Sequence, residues 1–127
     1  AAQVARIEKG YRDPVIKVGD LGARRDFTDV RDVVKAYALL LENKKIESGT
    51  YNVCSGNARM VKEILDLLLE ESVVPVRVEV DAGRFRPAEV PLFAGSMEKL
   101  RKATGWRPER EFAASVRETL AWWRALD

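Results

Sequence analysis

Two segments that combine arginine with other charged residues are the best candidates for chemistry in this sequence. Arg24 and Arg25 come directly before a predicted helix, and Arg86 lies three residues before Glu89. A guanidinium group keeps its charge at any working pH, and its planar fork matches the oxygens of a phosphate. Each segment could therefore bind an anion. Both patterns are also typical of solvated surface charge, and an exposed ion pair between Arg86 and Glu89 would contribute less than about 1 kcal/mol.

The residue types that are missing exclude several kinds of catalytic site. The chain has no histidine and one cysteine, Cys54. Without histidine there is no Ser-His-Asp or Cys-His nucleophile, no histidine-ligated zinc and no imidazole acid or base. No spacing of Asp and Glu residues marks a metal site or a catalytic carboxylate pair. We therefore expect no catalytic residue and no metal in this chain, and we expect Cys54 to be a small buried residue.

Length and composition predict a single domain or fragment over residues 1–127. Hydrophobic residues make up 46% of the chain, which is enough to bury a core. Basic and acidic residues are nearly balanced, with a net charge of +2, which does not indicate a nucleic-acid-binding surface. The single cysteine is typical of a reducing compartment, and no apolar run is long enough to span a membrane. We therefore expect a cytoplasmic protein that binds neither nucleic acid nor membrane.

Hydrophobic periodicity predicts alternating helices and strands, which is typical of an α/β fold. Helices are predicted over 1–9, 30–42, 60–71, 97–104 and 112–126, and strands over 15–19, 51–53 and 76–80. Pro87 and Pro91 predict an extended loop over 84–91. The helix over 30–42 is expected to bury an apolar face formed by Val30, Val33, Val34, Tyr37, Leu40 and Leu41. The last helix is expected to bury Phe112, Val116, Leu120 and Trp123.

Five segments, taken in order, resemble the C-terminal half of an extended short-chain dehydrogenase/reductase that acts on a nucleotide sugar. They are VIKVGDL at 15–21, RDFTDVRDVV at 25–34, YNVCSG at 51–56, RPAEV at 86–90, and the stretch from 99 to GWRP at 105–108. The RPAEV segment resembles the GDP-mannose branch of this family, which includes GDP-mannose 4,6-dehydratase and GDP-4-keto-6-deoxy-mannose reductase. The segment over 25–30 resembles the reductase more than the dehydratase.

The resemblance implies a role for four residues. Arg25 and Arg86 match the two arginines that grip the diphosphate of the nucleotide sugar. Glu89 matches the carboxylate that accepts hydrogen bonds from the ribose hydroxyls, and Val18 matches the strand that lies beside the base. The chemistry of each residue agrees, since a diphosphate favours bidentate cations and a diol favours a carboxylate acceptor.

The resemblance also implies that this chain is the substrate-binding part of an extended Rossmann fold, without the N-terminal dinucleotide-binding half. The sequence contains no Gly-x-x-Gly-x-x-Gly motif and no Tyr-x-x-x-Lys pair. These would bind the pyrophosphate of the cofactor and transfer a proton at the sugar. We therefore expect NADP to be bound by the full-length protein and no cofactor by this chain. Whether this chain alone is an enzyme, and which sugar is bound, stays open.

Two alternatives remain at this point. The chain could come from another nucleotide-sugar epimerase or dehydratase, acting on a UDP- or dTDP-sugar. It could instead be a noncatalytic interaction module that binds a partner through Trp122 and an exposed apolar edge. A strand over 51–53 would normally be one strand of a parallel sheet that is covered on both faces. Without its neighbouring strands, its edge would be unpaired. We therefore expect the chain to associate with itself.

Overall fold

The computed structural model describes residues 1–83 and 90–126, and these form a mixed α/β structure. The helices are α1 (Ala2–Glu8), α2 (Val30–Glu42), α3 (Val61–Glu70), α4 (Glu98–Thr104) and α5 (Phe112–Ala125). The strands are β1 (Val15–Val18), β2 (Arg24–Asp26), β3 (Ala58–Met60), β4 (Arg77–Val80) and β5 (Leu92–Phe93). All five predicted helices and the first and last predicted strands are therefore confirmed. Within the described residues, no helix is long and apolar enough to cross a membrane.

The chain divides into two compact units, each assembled from separate segments. The first unit contains Ala1–Ala23, Met60–Pro91 and Ala113–Asp127, and the second contains Arg24–Arg59 and Leu92–Phe112. Each unit is thus closed by contacts between residues that are far apart in sequence. That residues 1–127 act as one substrate-binding domain stays a prediction.

The first unit is built on a parallel pair of strands, β1 and β4. Val15 lies opposite Arg77 and Val18 opposite Val80. The pair is extended at its end by the Asp81 amide, which donates to the Val18 carbonyl at 2.8 Å. The buried hydrophobic side chains of this unit come from the helices, from β1 and from the segment before β2, and they are Val4, Ala5, Ile7, Ile16, Ala23, Leu68, Val116 and Leu120. The prediction for the last helix is confirmed for Val116 and Leu120, whereas Phe112 and Trp123 are half-buried.

The second unit contains a three-stranded sheet in the order β3-β2-β5, with β2 parallel to β5. Its core consists of Ala36 from α2, Leu100 from α4 and Trp106, all almost completely buried. The Trp106 indole donates to the Asp32 carbonyl at 2.9 Å, so its polar atom is satisfied inside the core. The buried Asp32 carboxylate accepts from the backbone amides of Glu109 and Arg110. Asp32 therefore fixes the loop that follows Trp106.

Helix α2 differs from the prediction in the face that it buries. It buries Asp32 and Ala36, and Val33 and Leu40 are half-buried. The predicted apolar face is largely exposed, with Val30 at 69%, Val34 at 59%, Tyr37 at 56% and Leu41 at 84%. The small Ala36 side chain packs with Leu100 and Trp106. Of the predicted face, Leu40 packs against this core, whereas Val30, Val34, Tyr37 and Leu41 do not.

The strand predicted over 51–53 is not formed. Tyr51 and Val53 instead pack in an irregular segment against the core of Ala36, Leu100 and Trp106. A strand needs a hydrogen-bonded neighbour, and no described strand pairs with this segment. Three strands were missed because β2, β3 and β5 are only two or three residues long, which is too short for alternation to show.

Candidate functional site

The structure describes two of the four predicted binding residues. Val18 ends β1 and is half-buried, with the buried Ile16 two residues before it on the same strand. Arg25 is the central residue of β2, opposite Phe93 of β5, and its guanidinium donates to the Arg24 carbonyl at 2.8 Å. Arg86 and Glu89 lie outside the described residues. Because Val18 belongs to the first unit and Arg25 to the second, their grouping into one site stays a prediction.

The carboxylate of Asp26, next to Arg25, joins three segments of the second unit. Its Oδ1 accepts from the Ser55 amide at 2.8 Å and from the Ser55 hydroxyl at 2.5 Å. Its Oδ2 accepts from the Gly56 amide at 2.8 Å and from the Gly95 amide at 3.3 Å. The end of β2, the turn over 55–57 and the segment after β5 are thus held by one side chain.

The hydrogen bonds of Asp26 also determine its charge. Burial raises the pKa of the Asp26 carboxyl, but the bonds from Ser55, Gly56 and Gly95 outweigh burial and hold the pKa below its usual value. The carboxylate is therefore ionised at neutral pH. Its negative charge lies at the end of the strand that carries Arg25, so the strand's position is fixed by a charge-assisted network.

Cys54 lies in the same region and is poorly suited to nucleophilic chemistry. Burial and the negative charge of Asp26 raise the pKa of its thiol, although a hydrogen bond with the Gly56 backbone opposes this. A thiolate is therefore disfavoured at neutral pH. The side chain is tightly packed, since a Cβ built on Gly95 would lie 2.7 Å from Cys54 Sγ. The prediction that Cys54 is a small buried residue is confirmed.

Two further arginines lie on the strands around Arg25, and sequence reasoning did not single out Arg59. The Arg24 guanidinium donates to the Ala58 carbonyl at 3.2 Å, which links β2 to β3. The Arg59 guanidinium stacks over the Phe112 ring, 4.6 Å from its centroid. The neighbouring strands β2 and β3 therefore carry three guanidinium groups, and because Arg24 and Arg25 are consecutive on β2, their side chains leave the strand on opposite faces. The sequence feature that could have identified Arg59 is its position two residues after the turn over 55–57.

No group of three His, Cys, Asp or Glu side chains that could hold a metal ion occurs within residues 1–83 and 90–126. The arrangement consists of cations on short strands beside the half-buried, hydrogen-bonded carboxylate of Asp26. It offers no general base or nucleophile among the residues described above.

The sequence of this chain matches a known protein family. A family model described as GDP-mannose 4,6 dehydratase matches residues 1–119. The chain is 37% identical over 125 residues to GDP-6-deoxy-D-mannose reductase of Pseudomonas aeruginosa, a match that covers 98% of this chain. It is 27% identical over 129 residues to GDP-mannose 4,6 dehydratase of Dictyostelium discoideum, covering 87% of this chain and 36% of that protein.

A solved structure matches over the same extent. The structure of RMD from Pseudomonas aeruginosa complexed with NADPH superposes with a TM-score of 0.87 at 38% identity, covering 98% of this chain and 40% of that chain. The chain spans 41% of the length of the Pseudomonas reductase. The predicted fold class, the C-terminal part of the extended Rossmann fold, is confirmed. The chain therefore belongs to the GDP-mannose 4,6 dehydratase family of extended short-chain dehydrogenases/reductases.

Proposed function

We propose that this chain is the substrate-binding part of an NADP-dependent enzyme of GDP-deoxysugar biosynthesis. The observation that carries the proposal is Arg25, held on β2 by the Asp26 network and placed within the family match over residues 1–119. A reductase is favoured over a 4,6-dehydratase, because identity is 37% to the reductase and 27% to 31% to the GDP-mannose 4,6 dehydratases of Dictyostelium discoideum and Arabidopsis thaliana. The whole protein's reaction is an inference from these relatives.

In this proposal the residues of the chain bind and orient the substrate. Arg25 and Arg86 hold the diphosphate, Glu89 accepts hydrogen bonds from the ribose hydroxyls, and Val18 lies beside the base. Binding at the nucleotide end would fix the hexose relative to a hydride donor, which lowers the entropic cost of the reaction. NADP would supply or accept the hydride. The chain lacks the glycine-rich motif that binds its pyrophosphate, so we assign no cofactor-binding residue here.

Calorimetric titration of GDP into the full-length protein tests the two arginines. Arg25→Ala and Arg86→Ala each remove a charge-assisted contact, and we expect each to weaken GDP binding by about 2 to 3 kcal/mol. Arg12→Ala removes an exposed cation at a position with no proposed role and is the control. GDP affinity equal to that of the wild type in both arginine variants, with folding confirmed by thermal melts, would contradict the proposal.

The same titration with UDP and dTDP tests the choice of base. The family match to a GDP-mannose enzyme leads us to expect tighter binding of GDP than of either alternative. A preference for UDP or dTDP would retain the binding site but overturn the assignment to GDP-sugars. Assays of the full-length protein with GDP-mannose and with the 4-keto-6-deoxy product would then separate dehydration from reduction.

We also propose that the isolated chain self-associates through the exposed face of α2 formed by Val30, Val34, Tyr37 and Leu41. These four large apolar side chains are all more than half exposed, and burying them against a second copy is favourable. Light scattering across a concentration series is expected to show dimers or larger species. Leu41→Lys should reduce association, whereas Ala121→Lys, at an exposed position of α5, should leave it unchanged. A monomer at high micromolar concentration would contradict the proposal.

A cytoplasmic location stays a prediction that rests on the presence of only one cysteine.

A further inference from the structure

A cavity of about 740 Å³ lies in the second unit, at the end of α4. Of the residues proposed to bind the nucleotide sugar, the two that the structure describes, Val18 and Arg25, do not line it. Its volume is within the range of about 300 to 1,000 Å³ that is typical of small-molecule sites. Four cationic side chains and one carboxylate reach it from three segments: Lys35 on α2, Arg101 and Lys102 on α4, and Arg107 and Glu109 on the following loop.

Two of the four cations are already paired. Lys35 Nζ donates to Glu109 Oε2 at 2.6 Å, and Arg101 Nη2 donates to Glu98 Oε2 at 2.9 Å. The hydrogen bond and charge of Lys35 lower the pKa of the Glu109 carboxyl, so this carboxylate is ionised at neutral pH. The side chains of Lys102 and Arg107 form no ion pair or hydrogen bond with any other described residue, although they interact electrostatically with Glu98 and Glu109, respectively. The cavity therefore carries about two positive charges that the protein does not neutralise.

Hydrogen bonds to Asp32 make one side of the cavity, the segment over 106–110, rigid. Trp106 is 2% exposed, and its indole is fixed on the Asp32 carbonyl. The amides of Glu109 and Arg110 donate to the Asp32 carboxylate, so the segment that carries Arg107 is anchored at both ends. This anchoring fixes the backbone around Arg107 before a ligand binds, which lowers the backbone part of the entropic cost of binding. Leu39 adds an apolar surface to the lining.

We propose that this cavity binds a small phosphate monoester, with Lys102 and Arg107 contacting the phosphate and Leu39 contacting the organic part. A phosphate monoester carries nearly two negative charges at neutral pH, which matches the two uncompensated cations. Cations in the last turn of a helix also stabilise the partial negative charge of its C-terminus. That effect accounts for Arg101 and Lys102, but not for Lys35 and Arg107, which lie on other segments. The chain's net charge of +2 and the cavity's size do not favour a nucleic acid.

Two titrations at constant ionic strength, monitored by amide NMR, test this proposal: one with phenyl phosphate and one with inorganic phosphate. We expect phenyl phosphate to shift the amides of residues 102–109. The double variant Lys102→Gln/Arg107→Gln should bind at least about tenfold more weakly than the wild type. The control Lys44→Gln/Arg12→Gln makes the same change in net charge with exposed residues that do not line the cavity, and should bind like the wild type. Equal weakening in both double variants, or no shift at millimolar ligand, would overturn the site.

A second variant guards against loss of folding as the explanation. Glu109→Gln removes the negative charge that neutralises Lys35, and we expect it to bind phenyl phosphate several-fold more tightly, which an unfolded protein cannot do. Unchanged or weaker binding by this variant would contradict the charge argument. Tighter binding of phenyl phosphate than of inorganic phosphate supports an ester as the ligand, whereas equal affinities would overturn the organic part of the proposal.

Discussion

At the scale of single residues, Asp26 is the most connected side chain of the candidate site. It accepts four hydrogen bonds from Ser55, Gly56 and Gly95, and all four donors point at an ionised carboxylate. Asp26→Asn replaces one acceptor oxygen by a donor, so at least one amide is left facing another N–H group. We expect a loss of about 2 to 3 kcal/mol in the free energy of unfolding at neutral pH, measured by urea denaturation. Asp66→Asn, which breaks an exposed ion pair with Lys62, should cost less than about 1 kcal/mol.

The contribution of Asp26 depends on pH in a defined direction. Its pKa is lowered in the folded protein, so its stabilisation is fully present above the ordinary Asp pKa of about 4. The stabilisation is lost as the pH falls through the lower folded pKa. The difference in unfolding free energy between the wild type and Asp26→Asn should therefore shrink below about pH 4. A difference that stays constant down to about pH 2 would contradict this account.

Gly95 is required by the close approach of Cys54. A methyl group at position 95 would lie 2.7 Å from Cys54 Sγ and 3.0 Å from its Cβ. We expect Gly95→Ala to cost about 1 to 3 kcal/mol through overpacking. In a Cys54→Ala background the sulfur is absent, so the same substitution should cost clearly less. Thermal or urea unfolding of the two single variants and the double variant measures this coupling, and purely additive costs would show that Cys54 is not the obstacle.

At the scale of elements, the sequence predicted where helices occur better than what each one buries. The ends of α2 agree with the prediction because Asp29 accepts from the Arg31 amide and so caps the helix, a signal that is local in sequence. Which face packs depends on Leu100 and Trp106, more than 60 residues away. The two-residue strand β5 likewise exists only because β2 pairs with it. In the candidate site, the binding role of Arg25 was inferred from its residue type and stays a prediction, whereas the structural role of Asp26 depends on Ser55 and Gly95.

The ion pair between Glu8 and Arg124 joins α1 to α5 in the first unit. Arg124 Nε and Nη2 donate to the two carboxylate oxygens of Glu8, each at 2.7 Å, and the Glu8 side chain is only 7% exposed. Arg124 also donates to the Glu71 carbonyl. We expect Arg124→Met to lower the free energy of unfolding by about 2 to 3 kcal/mol in urea denaturation. Lys62→Met removes an exposed pair of the same unit and should cost less than about 1 kcal/mol. Equal costs would mean that burial adds nothing to the Glu8 pair.

At the scale of the whole molecule, the division into two units follows from contacts that no local pattern records. The chain leaves the first unit after Ala23, returns at Met60, and leaves and returns once more at 92 and 113. Composition and length predicted a single domain because both describe the chain as a whole. Each unit nevertheless has a buried centre of its own, around Leu120 and Ile16 in the first and around Leu100 and Trp106 in the second. We therefore expect each unit to open locally as a unit around its own buried centre.

Hydrogen exchange followed by mass spectrometry can test whether the two units open separately. Arg124→Met weakens the first unit by about 2 kcal/mol or more, which corresponds to roughly 30-fold faster exchange of amides that exchange through its opening. We expect this acceleration in α1 and α5 and little change in α2 and α4. Gly95→Ala should give the opposite pattern, because Gly95 and Cys54 both belong to the second unit. If either variant accelerated exchange equally in all four helices, the two units would open as one cooperative structure, and their separate buried centres would not define separate stabilities.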